Sequence, residues 1–327
     1  MNIQDIRTIG IGGAGTMGSG IAQLFAASGY RVRIVDIDEV RLERSKQLVA
    51  LYNDSLLTNG LMTRHEADQA AGRISYHVGI EVLRDAELIM ESVVEKLDVK
   101  QSFWREVEIV ARPEAILATN TSGLSINQIG ERMRNKARFL GMHFWNPPHI
   151  IPLVELTLGE ETEEAAVDVL RDLSTAVGKK PVVVRKDAPG FIGNRLQFAV
   201  LREALHIVAQ GIALPEDVDR AMKYGPGFRY PILGPLETAD LGGLDVFSSI
   251  ASYLFRSLSD MKESPEILTD MVKAEHMGVK SGRGFYDYSG GKDVKAIRRR
   301  DEMLLKMLAH IYSRQTDPLD GPPRKDT

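Results

Sequence analysis

The sequence predicts an α/β fold, a doubly wound and largely parallel sheet followed by a smaller all-α C-terminal domain. Three observations carry this. Strand-like and helix-like segments alternate over the first 187 residues, the pattern of a parallel sheet with helices on both faces. The strand signal fades at Asp187-Ala188-Pro189-Gly190, and the chain beyond it reads as amphipathic helix. A chain of 327 residues with 43% hydrophobic content holds roughly two domains and enough apolar material for a real core. The boundaries read from these signals are 1–187, 188–312 and a polar tail at 313–327, rich in proline and expected to fray.

The elements are taken in chain order. Ile6–Ile11 is a short apolar strand that ends in glycines. Ser19–Ser28 has helical spacing and small residues, and Val32–Asp36 is β-branched and strand-like. Asp38 caps a long polar helix toward Leu57; Asn59-Gly60 breaks it and Thr63–Ala71 restarts it, which predicts a helical hairpin. Strands are expected at Glu87–Val93, Ala115–Thr119, Ala137–His143, Leu153–Thr157 and Pro181–Lys186. Helices are expected at Lys96–Ala111 and Glu163–Val177. Beyond the junction, Phe191–Gln210 reads as one long helix, followed by helices near Pro215–Lys223, Leu236–Ser257, Ser264–Glu275 and Val294–His310.

Composition excludes several kinds of protein. The 41 basic and 45 acidic residues nearly cancel, so no basic field asks for nucleic acid and no charge block asks for a membrane surface. The chain has no cysteine, which removes disulfides, thiolate metal sites and a thiol nucleophile. Met1 to Gly10 lacks the apolar core of a signal peptide, and the default expectation is a cytoplasmic protein.

The strongest local signal is Gly13-Ala14-Gly15-Thr16-Met17-Gly18. A G-x-G-x-x-G string is weak alone, but here a strand precedes it and a helix comes after it. The first glycine allows a tight turn, the second lets backbone approach a pyrophosphate, and the third lets helix pack on strand. The helix N-terminus then offers N–H groups and a positive dipole to phosphates. Asp36 ends the next strand, 18 residues past Gly18. A carboxylate there accepts from a ribose diol and repels a 2′-phosphate, so the expected cofactor is NAD, on a Rossmann-type sheet.

The second signal is the stretch from Gly141 to Glu155. His143 follows a strand-like segment, Glu155 lies in the next, and Pro147, Pro148 and Pro152 keep the connection from being helix. Such a turn brings a carboxylate back beside an imidazole, where it fixes the tautomer and suits His143 to acid–base work near neutral pH. A satisfied core histidine is the plainer alternative. His149 competes with His143, but no H-E-x-x-H motif is present and no metal site is expected.

With these residues in hand, the chain resembles the L-3-hydroxyacyl-CoA dehydrogenase family, in its 3-hydroxybutyryl-CoA dehydrogenase form. The blocks that carry the resemblance are GAGTMGSGIAQ (13–23), Asp36, ESVVEKLDVK (91–100), TNTSGLSI (119–126), GMHFWNPPHIIPLVE (141–155), KDAPGFIGNRL (186–196), GPLETADLGGLD (234–245) and KSGRGFYDY (280–288). The resemblance implies an NAD-dependent oxidoreductase of fatty acid metabolism. It implies that His143 is the catalytic base, Glu155 its partner, and Ser122 and Asn194 the polar groups around the substrate 3-oxygen. Glu95, Lys100, Asn120 and Asn146 are implied near the cofactor ribose and nicotinamide, and a homodimer through the helical domain is implied.

Three features bear on the substrate. No Lys or Arg occurs between Lys46 and Arg64, where the family carries basic residues that meet CoA phosphates. The PPHIIPLVE segment resembles relatives that oxidise free hydroxy acids, such as gulonate dehydrogenase. Gly227-Phe228-Arg229-Tyr230 places an arginine before the GPLE block, as in those relatives, and a guanidinium there can form paired hydrogen bonds with a substrate carboxylate; a plain surface arginine is the alternative. The expected substrate is a short-chain L-3-hydroxyacyl-CoA; the alternative is a free hydroxycarboxylic acid bound by Arg229.

Overall fold

The computed structural model describes residues 1–312; the polar tail read at 313–327 lies outside the described residues. The chain divides into two compact units. Unit 1 is Met1–Asn194 together with the segment from Glu302, and unit 2 is Arg195–Asp301.

Unit 1 is an eight-stranded sheet with helices on its faces. Its strands are β1 (Thr8–Gly12), β2 (Arg31–Asp36), β3 (Ile74–Val78), β4 (Leu88–Glu91), β5 (Ile116–Thr119), β6 (Phe139–Phe144), β7 (Leu153–Leu158) and β8 (Lys180–Val184). They lie in the order β3-β2-β1-β4-β5-β6-β7-β8. The first six strands run parallel; β7 pairs antiparallel to β6, and β8 parallel to β7. The order reverses between β1 and β4, the crevice where doubly wound sheets bind ligands. The helices are α1 (Thr16–Ala27), α2 (Glu39–Thr58), α3 (Arg64–Gly72), α4 (Leu97–Val110), the short α5 (Ile126–Ile129) and α6 (Glu164–Ala176). Asp38 caps α2 by accepting from the Arg41 N–H, and Thr63 and Glu66 form a capping box on α3.

Strand alternation divides the core between the two faces. Leu88 and Met90 join Ile9, Ile11 and the α1 residues Ile21 and Phe25 in one cluster. Ile89 points the other way, to Trp104 and Val107 of α4. The same rule places the site. Leu140, Met142 and Phe144 of β6 and Val154 and Leu156 of β7 all belong to the first cluster, which leaves His143 and Glu155 together on the second face.

Unit 2 is helical. It takes most of α7 (Gly193–Ala209), then α8 (Pro215–Tyr224), α9 (Pro226–Arg229), α10 (Pro235–Gly242), α11 (Leu244–Leu254), α12 (Glu266–Lys273) and most of α13 (Lys292–Met307). No helix among the described residues is long and apolar enough to cross a membrane.

Two details depart from the sequence reading. β3 was not expected: it is an edge strand whose Ser75 and His77 interrupt the apolar signal. The helix expected over Leu236–Ser257 is two, because Gly243 takes φ +90° between α10 and α11. By contacts the division falls after Asn194, because Gly193 and Asn194 at the start of α7 are hydrogen-bonded to the rest of unit 1.

Candidate active site

Parallel pairing brings the C-terminal ends of β1, β4, β5 and β6 to one edge of the sheet. Each end leads into a segment singled out by its sequence. The glycine loop follows β1, Glu95 and Lys100 follow β4, Asn120–Ser122 follow β5, and His143 is the penultimate residue of β6.

The loop fits a dinucleotide. Gly13 holds φ +102°, and a Cβ on Gly18 would lie 1.9 Å from the Gly13 carbonyl oxygen, so α1 closes on the loop only with glycine there. Gly15 is the N-cap of α1, no side chain caps this end, and its first turn carries no acid. The N–H groups of Thr16, Met17 and Gly18 therefore remain as donors at the positive end of the helix dipole. A Cβ on Gly15 would meet no protein atom within 4 Å, the room a pyrophosphate needs beside backbone. Asp36 accepts from the N–H of Ala14 and of Ile37, each at 2.7 Å, which ties the carboxylate to the loop.

His143 and Glu155 sit opposite one another in the β6–β7 register, with Nδ1 2.8 Å from Oε2. Glu155 is completely buried. Its Oε2 also accepts from the Trp145 indole N–H at 3.1 Å, and its Oε1 accepts from the N–H groups of Ile192 and Gly193, each at 2.9 Å. Burial alone would push this carboxyl up. The hydrogen bonds from His143, Gly193, Trp145 and Ile192 outweigh it and hold the group down at about 2. An acid so strong carries no proton to share, so His143 Nδ1 is the donor and Nε2 is left as the basic nitrogen.

Local backbone makes those donors available. Phe191, fully buried against the His143 ring, takes φ +50°, a strained value for a bulky residue. The two following N–H groups then meet Glu155 at the start of α7. Gly193 is required by contact: a Cβ there would lie 2.4 Å from the Trp145 ring.

A second polar group lies beneath the ends of β4 and β5. Lys100, 1% exposed, reaches Glu91 at 2.6 Å and Glu95 at 3.1 Å. Glu95 accepts from the Thr121 hydroxyl at 2.5 Å and the Ser122 N–H at 3.0 Å. Burial pushes the Glu95 carboxyl up, but those bonds and the Lys100 charge hold it below the ordinary range. The Ser122 carbonyl accepts from Asn194 Nδ2 at 2.9 Å, and Asn120 Oδ1 accepts from the Phe144 N–H at 2.8 Å beside His143.

His143, Glu155, Ser122, Asn194, Glu95, Lys100 and Asn120 all belong to unit 1. Asn146 is exposed just past β6. Arg229 is exposed at the end of α9, in unit 2. His149 is set apart from His143: it stacks on Tyr52 at 4.3 Å. Trp145 and the 192–193 N–H groups were not legible as partners of Glu155, since they act through folding rather than spacing. Glu91 had no role in the sequence reading, because its contact with Lys100 depends on the fold rather than on a spacing rule.

A dinucleotide cradle at the switch point, with an imidazole–carboxylate pair on the adjoining strand ends, is the arrangement of a nicotinamide-dependent dehydrogenase. Comparison narrows this class. Residues 8–188 match the family described as "3-hydroxyacyl-CoA dehydrogenase, NAD binding domain", and residues 190–288 match its C-terminal domain. A 5-formyl-3-hydroxy-2-methylpyridine 4-carboxylate 5-dehydrogenase from Mesorhizobium japonicum is 34% identical over 90% of this chain and 94% of its own. The crystal structure of an enzyme of that name, described as an NAD+ dependent dismutase, superposes with a TM-score of 0.88 at 32% identity, covering 95% of this chain and 100% of that one. The structure of a (S)-3-hydroxybutyryl-CoA dehydrogenase from Ralstonia eutropha gives 0.72 at 36% identity, over 87% of this chain and 99% of that one. The chain belongs to the 3-hydroxyacyl-CoA dehydrogenase family, and its cofactor is NAD.

Proposed function

We propose that this chain interconverts a short-chain L-3-hydroxyacyl-CoA and its 3-keto form, with His143 and Glu155 as the acid–base pair. The observation that carries the reading is the 2.8 Å contact between His143 Nδ1 and a buried, ionised Glu155. NAD, when bound, supplies the two-electron acceptor. Gly13, Gly15, Thr16, Met17, Gly18 and Asp36 would hold its pyrophosphate and ribose, and Glu95, Lys100, Asn120 and Asn146 would line its nicotinamide side.

The chain's own residues manage the proton. In oxidation, His143 Nε2 takes the proton of the substrate hydroxyl, and the new imidazolium is stabilised by the Glu155 carboxylate. In reduction, the same nitrogen returns the proton to the forming alkoxide. Ser122 and Asn194 would donate to that oxygen, where charge develops only in the transition state. Glu155 contributes most once the imidazolium exists, so its loss should lower kcat more than it raises KM.

A second reading takes a free hydroxycarboxylic acid, with Arg229 as the partner of its carboxylate. The absence of Lys and Arg between 46 and 64, and the closer match to a pyridine-carboxylate dehydrogenase structure, favour it. NADH oxidation with acetoacetyl-CoA, set beside free 3-keto acids, tests both. Turnover of acetoacetyl-CoA upholds the first reading. Turnover of an acid alone, lost selectively in Arg229→Met, replaces it with the second.

A homodimer completes the proposal. On α11, Val246, Phe247, Ile250, Tyr253 and Leu254 form an exposed apolar stripe at helical spacing. Leu205 is the one buried apolar residue of unit 2 among those described. A second copy of this chain is the partner always present to cover such a surface.

A further inference from the structure

Glu91 stands outside every role assigned above, yet it is as fully enclosed as Glu155. It ends β4 and is 0% exposed. Each oxygen is engaged. Oε1 accepts from Lys100 Nζ at 2.6 Å and from the Val93 N–H at 2.9 Å, and Oε2 accepts from the Thr119 hydroxyl at 2.8 Å. These three donors come from three segments: the loop after β4, the first turn of α4, and the end of β5.

The connections continue outward. Lys100, held on one side by Glu91, meets Glu95 on the other. Glu95 pins the Thr121 hydroxyl and the Ser122 N–H, and the Ser122 carbonyl receives Asn194. Thr119 Oγ1, bonded to Glu91, also accepts from the Thr121 N–H at 3.3 Å. The 121–122 turn is thus tied to Glu91 by two routes, one through Lys100 and Glu95 and one through Thr119. A buried lysine with one carboxylate would satisfy its charge. Two carboxylates on one buried ammonium do more than neutralise it: they fix where it stands and orient the second carboxylate.

We propose that Glu91 is a positioning residue of the site, whose carboxylate sets Lys100 and Thr119 and through them the turn carrying Thr121 and Ser122. The role rests on the reading of Ser122, Glu95 and Lys100 given above. Displacing a site group by about 1 Å can cost on the order of 100-fold in rate.

The test is made on the full-length protein with three variants. Glu91→Gln keeps shape and removes charge; it should lower kcat about 10- to 100-fold and weaken NADH binding, read directly by fluorescence titration. Thr119→Val keeps the charge pair and removes only the hydroxyl; it should lower kcat while the melting temperature stays near wild type. Thr119→Ser restores the hydroxyl and should restore kcat. The threonine pair decides the matter if Glu91→Gln does not fold. Thr119→Val as active as Thr119→Ser, or a folded Glu91→Gln with wild-type kcat and NADH affinity, overturns the role. NADH titration separates this from the function itself. Wild-type protein that binds NADH but reduces neither acetoacetyl-CoA nor a keto acid sinks the reading of the site, and the Glu91→Gln titration still decides whether Glu91 sets the cofactor side.

Discussion

Unit 1 buries a large apolar core within its own chain, and unit 2 buries a single apolar side chain among the described residues. In unit 1, Ile9, Ile21, Leu88 and Phe144 are at most 1% exposed. In unit 2, Leu236 is 81% exposed, Phe228 77% and Phe255 71%. Exposed apolar surface on this scale marks an interaction face. The difference teaches where each task resides. The imidazole–carboxylate pair needs fixed distances, and it is built on strands inside a closed core. In the proposed homodimer a second copy covers the exposed face of unit 2, and the stability of that unit would then depend on protein concentration.

The largest expected effect tests whether the chemistry belongs to unit 1 alone. His143→Gln should lower kcat by about 1,000-fold or more, while NADH binding measured by titration stays close to wild type. Near wild-type turnover would remove the acid–base role from unit 1. Next comes Glu155→Gln. Four donors surround the carboxylate, from His143, Trp145, Ile192 and Gly193. However the amide is turned, its NH2 faces donors. A loss of about 100-fold in kcat, with KM changed far less, is expected from steady-state kinetics; a loss confined to KM would contradict it.

A third variant addresses unit 2. Ile250→Glu places a charge in the middle of the exposed α11 stripe. Sedimentation should show a shift from dimer to monomer, with a melting temperature lower by several degrees. An unchanged mass and melting curve would mean that the stripe is not the covered face.

The two units were also unequally legible in the sequence. The glycine loop, Asp36, and the return of Glu155 beside His143 could be read because turn chemistry and strand alternation are local rules. β3 could not, since an edge strand with Ser75 and His77 lacks the apolar run that marks its neighbours. The donors that complete the Glu155 shell lie 37 and 38 residues away in sequence and arrive through the left-handed Phe191, which no spacing announces. In unit 2 the amphipathic periods located the helices, but helical spacing does not say what covers their exposed apolar faces.

The smallest expected effect sharpens the same contrast, because it makes unit 1 the acid-sensitive half. His149 is buried on Tyr52, and its Nδ1 has no hydrogen-bond partner among the described residues. Burial, reinforced by the nearby Lys179 charge, lowers its pKa from the ordinary 6.5 to about 4. Below pH 6.5 the unfolded chain takes up a proton on this residue that the folded chain refuses until about pH 4. The unfolded state then binds more protons, so stability falls as pH drops through that window, by up to about 3 kcal/mol. His149→Phe keeps an aromatic ring on Tyr52 and removes the titration. Its melting temperature should exceed that of wild type at pH 5, with the gap closing by pH 8. Equal slopes of melting temperature against pH in the two proteins would show that His149 is protonated alike in both states, and the acid sensitivity of unit 1 would have to come from Glu155 at lower pH.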